Sequence, residues 1–382
     1  MDSLSTCVSE NGGLPQLAVL NLRAHVAKIR NDVNTGLYHQ LPNNHQQLRA
    51  KPLALDFAGL GVLDWEEWPY SWSRWPLSGF TPQNNVYMNL SVELVLKDHP
   101  SWPPKHAEQE AERRYDAAVQ TFITATLDTL HVLRPKGRFG MFGWPDCDFQ
   151  LSANNAPLGC PAGFREMNDN ALGWLWNASS ALYPDMYIQA PPGQYPKGFE
   201  GRLVNVSFDS NQRFVDDVVA EAMHVASSIQ DPSQRPAVYP YGRAFWYSWL
   251  GYENTSSLMQ PRDLQATVGR PAQHGADGVV LWGGSADCGK LSCGADGTCM
   301  LCQSKCTAQA DYISTSMGPV AAKAVNDADT CAAAHCAGGQ RCVTIDDIGR
   351  QLQTPRCITG AMKTDTLQTL MWSLTDEIPY SQ

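Results

Sequence analysis

At 382 residues the chain suffices for one large barrel or two ordinary domains. With 43% apolar against 17% charged residues it can bury a sizeable core, which excludes bulk disorder. A formal charge of −10 argues against nucleic acid, whose binding runs on basic patches, and an acidic polysaccharide would need a locally basic groove.

The start, MDSLSTCVSENGG, has neither the basic nor the apolar region of a signal peptide. Twelve cysteines nevertheless point to an oxidising compartment. The two together read as a sequence that begins inside a longer precursor of a secreted or lysosomal protein, with residues 1–11 an unstructured lead. Four Asn-x-Ser/Thr sequons, at Asn89, Asn177, Asn205 and Asn254, agree with a glycoprotein. No apolar run approaches the ~20 residues that span a bilayer.

Short apolar runs then alternate with helical patterns. A helix over Gln16–Val33 precedes the first strand candidate, Gly59–Asp64. A second helix, Ala107–Leu133, leads to Arg138–Phe142, and Asn170–Ala181 to Met186–Ala190. Phe214–Ser228 leads to Ala237–Tyr241, and roughly Pro261–Gly275 to Gly278–Trp282. Each strand is brief and nearly all apolar, as a parallel strand covered on both faces should be. The alternation predicts an α/β fold of βα units, with a parallel sheet either open or closed into a barrel. In both cases ligands gather at the C-terminal strand ends. No strand is followed by a Gly-rich phosphate loop, which lowers the nucleotide reading.

After Trp282 the composition changes. Cys288, Cys293, Cys299, Cys302 and Cys306 crowd into nineteen residues. A helix is expected around Ala308–Val325, then Cys331, Cys336, Cys342 and Cys357. This reads as a small disulfide-stapled module of the epidermal-growth-factor type. Cys299-x-x-Cys302 has zinc-ligand spacing, but no histidine lies nearby and the context is oxidising, so disulfides are the favoured reading.

The most informative segment is GLGVLDWEEWPYSWSRW, residues 59–75. Along an extended chain side chains two apart share a side, so Asp64 and Glu66 project together while Trp65 and Glu67 point away. Two carboxyl groups this close do not both ionise easily, and one keeps the proton that a general acid needs. Rings such as Trp68, Trp72 and Trp75 would add desolvation. Ordinary glycosidases set two carboxylates on opposite sides of the scissile bond. This pair shares one side, which leaves a second carboxylate elsewhere, a water, or a nucleophile from the substrate itself.

DWEEW at the end of this strand resembles the catalytic segment of animal and venom hyaluronidases, glycoside hydrolase family 56. The likeness continues in order through GGLPQ (12–16), LRPKGRFGMFGWPDC (133–147), GCP (159–161), NDNALGWLWNASSALYPDMY (168–187), VAEAMHVA (219–226), GADGVVLWG (275–283), MGP (317–319) and CAAAHCAGGQRCV (331–343). It covers roughly residues 12–345.

The resemblance implies a distorted TIM-like (β/α) barrel over 12–327 with a Cys-rich insertion at 288–306, an EGF-like module at 328–360 and a tail at 361–382. It implies an endo-β-N-acetylhexosaminidase acting on hyaluronan, and on chondroitin as a second polymer, as a monomer without cofactor or metal. The mechanism so implied is substrate-assisted: the acetamido oxygen attacks its own anomeric carbon while Glu66 protonates the leaving oxygen and then activates water. Asp64 would hold the acetamide and tune Glu66. Tyr187 would donate its hydroxyl to the acetamido group, Trp282 would wall the pocket for its methyl, and Trp68 is a further sugar-contact candidate. Cys147 would pair with Cys160, and Cys331, Cys336 and Cys342 would belong to the module's disulfides.

The chain also departs from the family. Counting five residues beyond Pro240-Tyr241, where the family often has a tyrosine, lands on Trp246, with Tyr247 next door; both are site candidates. Pro69 replaces a common arginine. The missing basic residue, together with the net charge and the missing strands described next, favours an alternative: a hyaluronidase-like protein that binds glycan without cutting it. Two strands that normally precede the DWE strand are missing, so the barrel is expected to be incomplete at its N-terminus, with exposed edges. The chain as written is accordingly expected to be poorly stable or inactive beside an N-terminally extended form. Thermal unfolding of the two forms checks this, and equal, cooperative melting contradicts it.

Overall fold

The computed structural model describes residues 14–35, 38–40, 47–49, 52–66, 68–147, 159–189, 207–244, 246, 258–282, 292–293, 299–300 and 311–359. The chain divides into two compact units. One comprises Met1–Phe142, Ala162–Leu182 and Gln234–Pro236; the other comprises Gly143–Pro161, Tyr183–Ser233 and Ala237–Gln382.

The first unit is built on the 30-residue helix Pro104–Leu133. Proline at its first turn supplies a helical φ where the N–H would be unpaired anyway. One face of the helix is buried through Ala107, Ala111, Tyr115, Ala118, Val119, Phe122, Ile123 and Leu127, an apolar stripe at helical spacing. Against it pack the helices Leu22–Thr35 and Val86–Asp98. The second of these, capped by Asn85 accepting from the Met88 N–H, was not expected from the sequence. Its apolar residues, VYMNLSVELVLKD, surround it too evenly to print a helical stripe.

Beside the long helix, Leu60–Leu63 pairs in parallel with Arg138–Met141, Leu60 opposite Arg138 and Leu63 opposite Met141. The pairing closes with the Phe142 N–H donating to Leu63 O at 2.9 Å. The helix expected to reach Ala181 stops earlier. It runs as Ala162–Glu166, a π-helical turn at Met167–Ala171, and Gly173–Ala178. Ala181–Leu182 is strand, entered by Ser180, whose hydroxyl accepts from the Phe139 N–H and whose own N–H donates to Phe139 O.

Arg134 ties this unit together. It is buried, and its guanidinium donates to Leu53 O (3.0 and 2.5 Å), to Val33 O and to Asn34 Oδ1. One side chain thus joins the C-terminal ends of two helices to the segment that enters the Leu60–Leu63 strand.

In the second unit, residues 183–187 run extended beside Tyr241–Gly242, which pairs in parallel with Val280–Leu281. The Met186 N–H donates to Tyr241 O, and the Trp282 N–H to Gly242 O. The helix Phe208–Ser228 opens with a reciprocal Ser207/Ser210 capping box. It buries Asp216, which is held at both oxygens by Arg270 (2.6 and 2.7 Å) and at one by His274 Nε2 (3.0 Å). Arg270 also donates to Gly349 O at 2.7 Å. Gly349 has φ +75°, and a Cβ there would stand 2.2 Å from Asp216 Oδ2, so both conformation and space require glycine.

The C-terminal segment forms a helix, Gly318–His335, and an antiparallel hairpin, Gln340–Ile345 with Gln351–Thr359. Disulfides join Cys331 to Cys342 and Cys336 to Cys357. The helix runs across the boundary expected at residues 327 and 328, so Cys331 reaches the hairpin from within a helix. Cys147 is bonded to Cys160. Within the Cys-rich stretch, Ser292–Cys293 and Cys299–Met300 pair as short antiparallel strands; Cys288, Cys302 and Cys306 lie outside the described residues.

Replacing Arg134 by Met is expected to destabilise the first unit by about 3 kcal/mol or more, since Leu53 O loses both bonds from the guanidinium and the Val33 and Asn34 oxygens lose one each. Denaturant unfolding measures it; a loss below about 1 kcal/mol would show that water satisfies those groups.

Candidate functional site

The first group of candidates sits at the exit of the Leu60–Leu63 strand. Parallel pairing ends at Leu63, and the next residues carry Asp64 and Glu66, both exposed to solvent. Between them Trp65 turns inward. Its ring lies 5.2 Å from Trp68 and 5.4 Å from Phe122 of the long helix, with Trp68 and Phe122 5.9 Å apart. Over residues 64–66 the alternation expected of an extended segment is therefore present, with carboxylates outward and tryptophan inward; Glu67 lies outside the described residues.

Trp68 departs from its expected role. Only 2% exposed, it is packed into this triangle and offers no face to a sugar. Its work is to anchor the segment, each such buried ring contributing about 2–3 kcal/mol. Trp72 and Trp75 are likewise buried, packed edge-on and tilted around Tyr115 at 5.7 and 4.7 Å, so they serve the core of this unit.

Three polar ties reinforce the rings. The Tyr70 hydroxyl donates back to Trp65 O at 2.9 Å. The Tyr115 hydroxyl donates to Pro69 O at 2.7 Å, and the Trp72 N–H donates to Asp116 Oδ1 at 2.7 Å. Sequence reasoning missed Tyr70, and it missed Tyr115 and Asp116 because nothing local pairs a helix residue with a loop more than forty positions earlier. Burial pushes the Asp116 carboxyl up to about 6, with the Trp72 N–H opposing and Glu112 adding to the rise.

The second group belongs to the other unit. Tyr187 stands at the end of the extended run 183–187, where its own N–H donates to Asp185 Oδ1 at 2.8 Å and fixes the turn. Trp282 follows Val280–Leu281 and is 47% exposed. Their ring centroids are 6.3 Å apart. Parallel pairing brings them together: residues 185–187 and 280–282 flank the same central strand, Tyr241–Gly242.

Beside them, and unexpected from the sequence, lies Arg243. Its guanidinium carbon is 4.8 Å from the Trp282 ring centroid and 5.6 Å from that of Tyr187. The available signal was a basic residue directly after the strand, in YPYGRAFWY.

Trp246 is 4% exposed, with its indole N–H donating to Asp263 at 3.2 Å. It is a packed ring with a satisfied N–H, and the expectation that it meets substrate is corrected. Burial raises the Asp263 carboxyl, and the Trp246 N–H works against that rise. Tyr247 lies outside the described residues. Among the described residues, no group of three or more His, Cys, Asp or Glu side chains is set to hold a metal ion, and no helix is long and apolar enough to cross a membrane.

A family model described as "Hyaluronidase" matches residues 4–356. The chain is 34% identical over 333 residues to Hyaluronidase-1 of Homo sapiens, covering 87% of this chain and 64% of that protein. It thus spans a little under two thirds of that relative's length. Hyaluronidase of Apis mellifera is 28% identical over 319 residues, covering 83% and 68%. Crystallographic bee venom hyaluronidase matches in structure with a TM-score of 0.60 and 27% identity, over 81% of each chain. The same enzyme crystallised in complex with a hyaluronic acid tetramer matches at 0.58 and 26%, over 81% of this chain and 78% of that one. The α/β architecture is accordingly that of a TIM-barrel-like fold.

The raised Asp116 carboxyl has a measurable consequence. Its neutral form is the one favoured in the folded state, so its contribution is full in acid and is lost as the pH rises through about 6. Asp116→Asn, which keeps an oxygen for the Trp72 N–H, is expected to melt a few degrees above the wild type at pH 7 and at the same temperature near pH 4. Scanning calorimetry at both values checks this, and a pH-independent difference contradicts it.

Proposed function

The chain belongs to the hyaluronidase family, glycoside hydrolase family 56, and we propose from its site residues that it hydrolyses hyaluronan as an endo-β-N-acetylhexosaminidase, with chondroitin as a second polymer. The observation that carries this reading is the placement of Asp64 and Glu66. Both are exposed at the C-terminal end of a parallel strand, on a segment held by buried rings and three polar ties. That is where ligands gather in parallel α/β folds, and catalytic groups work best on a rigid mount.

Because the pair leaves one strand on one side, it does not flank a glycosidic bond as acid and opposed nucleophile. The nucleophile in this reading is the acetamido oxygen of the substrate, which closes on its own anomeric carbon as the glycosidic bond breaks. Glu66 gives its proton to the leaving oxygen, then takes one from the water that opens the cyclic intermediate, so configuration is retained. Asp64 accepts the acetamide N–H and stabilises the positive charge that develops. Electrostatic support of this kind is worth a few kcal/mol. Tyr187 donates its hydroxyl to the acetamido oxygen, and Trp282 contacts its methyl group.

The cysteine content and the disulfides support a secreted or lysosomal setting. The two-disulfide hairpin is read as an EGF-like module and Asn177, exposed on its helix, as a glycosylation acceptor.

A second reading, glycan binding without cleavage, draws on Trp246, which is buried where the family often carries a tyrosine. Gel zymography on hyaluronan and on chondroitin separates the two readings, run beside Glu66→Gln. The wild type is expected to clear hyaluronan, and Glu66→Gln to lose about 10²-fold or more. Clearing that survives the substitution removes Glu66 from its role; retention of polymer without clearing selects the second reading.

A further inference from the structure

An indole that seats a small acyl group has to stand still, yet Trp282 follows the last ladder residue of its strand and is 47% exposed. A ring so open has several staggered positions within reach. Tyr187 is a tilted neighbour at 6.3 Å, which leaves much of the indole uncovered.

The group that lies against it is Arg243. Gly242 pairs with Leu281 in the parallel ladder, so residue 243 comes level with Trp282 and projects to the same side. The backbone is fixed before and after it. The Trp282 N–H donates to Gly242 O and the Met259 N–H to Ala244 O, both at 2.9 Å. A Cβ at Gly242 would stand 3.2 Å from Met186 Cε, so the extended run carrying Tyr187 packs closely against this strand. From that mount the guanidinium lies over the indole at 4.8 Å and reaches the Tyr187 ring at 5.6 Å. Both distances fall within the ~6 Å over which a cation is attracted to a ring face. One planar cation thus bridges two rings from separate stretches of chain. Arg243 also has a further partner, which adds to the hold.

We infer that Arg243 is a positioning residue: stacked on Trp282 and Tyr187, it holds the two rings as one preformed wall and so sets the size of the acyl group that the bound hexosamine can carry. This rests on the functional reading above and deepens it, by naming the part of the substrate whose dimensions the site measures and the side chain responsible. A fixed apolar wall separates groups differing by one methylene about ten-fold or more, whereas a ring free to swing adapts to either.

The probe is hyaluronan beside a form re-acylated so that each N-acetyl group has become N-propionyl, with charge and linkage unchanged. For the full chain, kcat and KM are measured on both polymers with wild type, Arg243→Lys and Arg243→Met. Wild type is expected to favour the N-acetyl polymer roughly ten-fold in kcat/KM. That ratio should fall toward one in Arg243→Met and be partly kept in Arg243→Lys, which retains the cation without its planar stack. A wild-type ratio near one, or a ratio that persists in Arg243→Met, overturns the inference.

Fluorine NMR of chains labelled with 5-fluorotryptophan reads the hold itself, the Trp282 line being assigned by Trp282→Phe. Arg243→Met is expected to move that line and leave those of the other eleven tryptophans in place; an unmoved line overturns the inference. If Arg243→Met displaces every line together, the judgement passes to Arg243→Lys, for which an unmoved Trp282 line and an unchanged acyl ratio overturn it. Should neither polymer be cleaved, titration calorimetry with N-acetyl and N-propionyl octasaccharides reads the acyl preference in Kd. A preference that depends on Arg243 then upholds the inference while the hydrolytic reading falls. Equal or absent binding of the two by wild type overturns it.

Discussion

The candidate carboxylates depend on the packing of Trp65 and Trp68 against Phe122. A strand end is ordinarily a place where the chain loosens, since the ladder that fixed its backbone has stopped. Here alternation along the extended chain puts every second residue into the core of the first unit, so that Asp64 and Glu66 inherit their positions from the tryptophan between them. The ring triangle fixes the segment close to its acidic residues. The bonds from Tyr70, Tyr115 and Trp72 extend the hold along the following turn. The long helix is thus the reference surface on which this half of the chemistry is laid out.

The second unit solves a related problem with sheet register instead of ring packing. Tyr187, Arg243 and Trp282 come from three separate stretches, and what aligns them is the parallel order of residues 183–187, Tyr241–Gly242 and Val280–Leu281. A slip of one residue in any of these would turn its terminal side chain to the opposite face. The register is held by the Met186 N–H donating to Tyr241 O and the Tyr241 N–H to Pro184 O, while the Asp185 carboxylate fixes the local backbone at Tyr187 by accepting that residue's own N–H.

The sequence was most legible where chemistry and periodicity coincided. The brief apolar runs ending in Asp64, Phe142 and Trp282 fall on strands, and the GLGVLDWEEW segment announced itself by its paired acids. Family likeness, rather than pattern, brought out Tyr187 and Trp282, neither of which is conspicuous alone. The misreadings share a cause. Trp68 was judged as an aromatic ring close to the paired acids and Trp246 by counting along the family pattern, and burial is a tertiary property that neither encodes. The Val86–Asp98 helix was overlooked because an apolar run with little periodicity fits strand and helix equally. Asp116 and Arg243 escaped because their partners are remote in sequence and meet them only through packing or register.

The knot of Asp216, Arg270, His274 and Gly349 bears on how the protein is made. Asp216 lies inside a helix translated well before the hairpin that carries Gly349, so on a nascent chain the Arg270 side chain must wait for the carbonyl that completes its coordination. Vectorial synthesis therefore leaves the second unit with an unfinished polar interior until its last strands have emerged. The hairpin, itself cross-linked by Cys331–Cys342 and Cys336–Cys357, acts as the closing stone of that unit rather than as a detachable appendage.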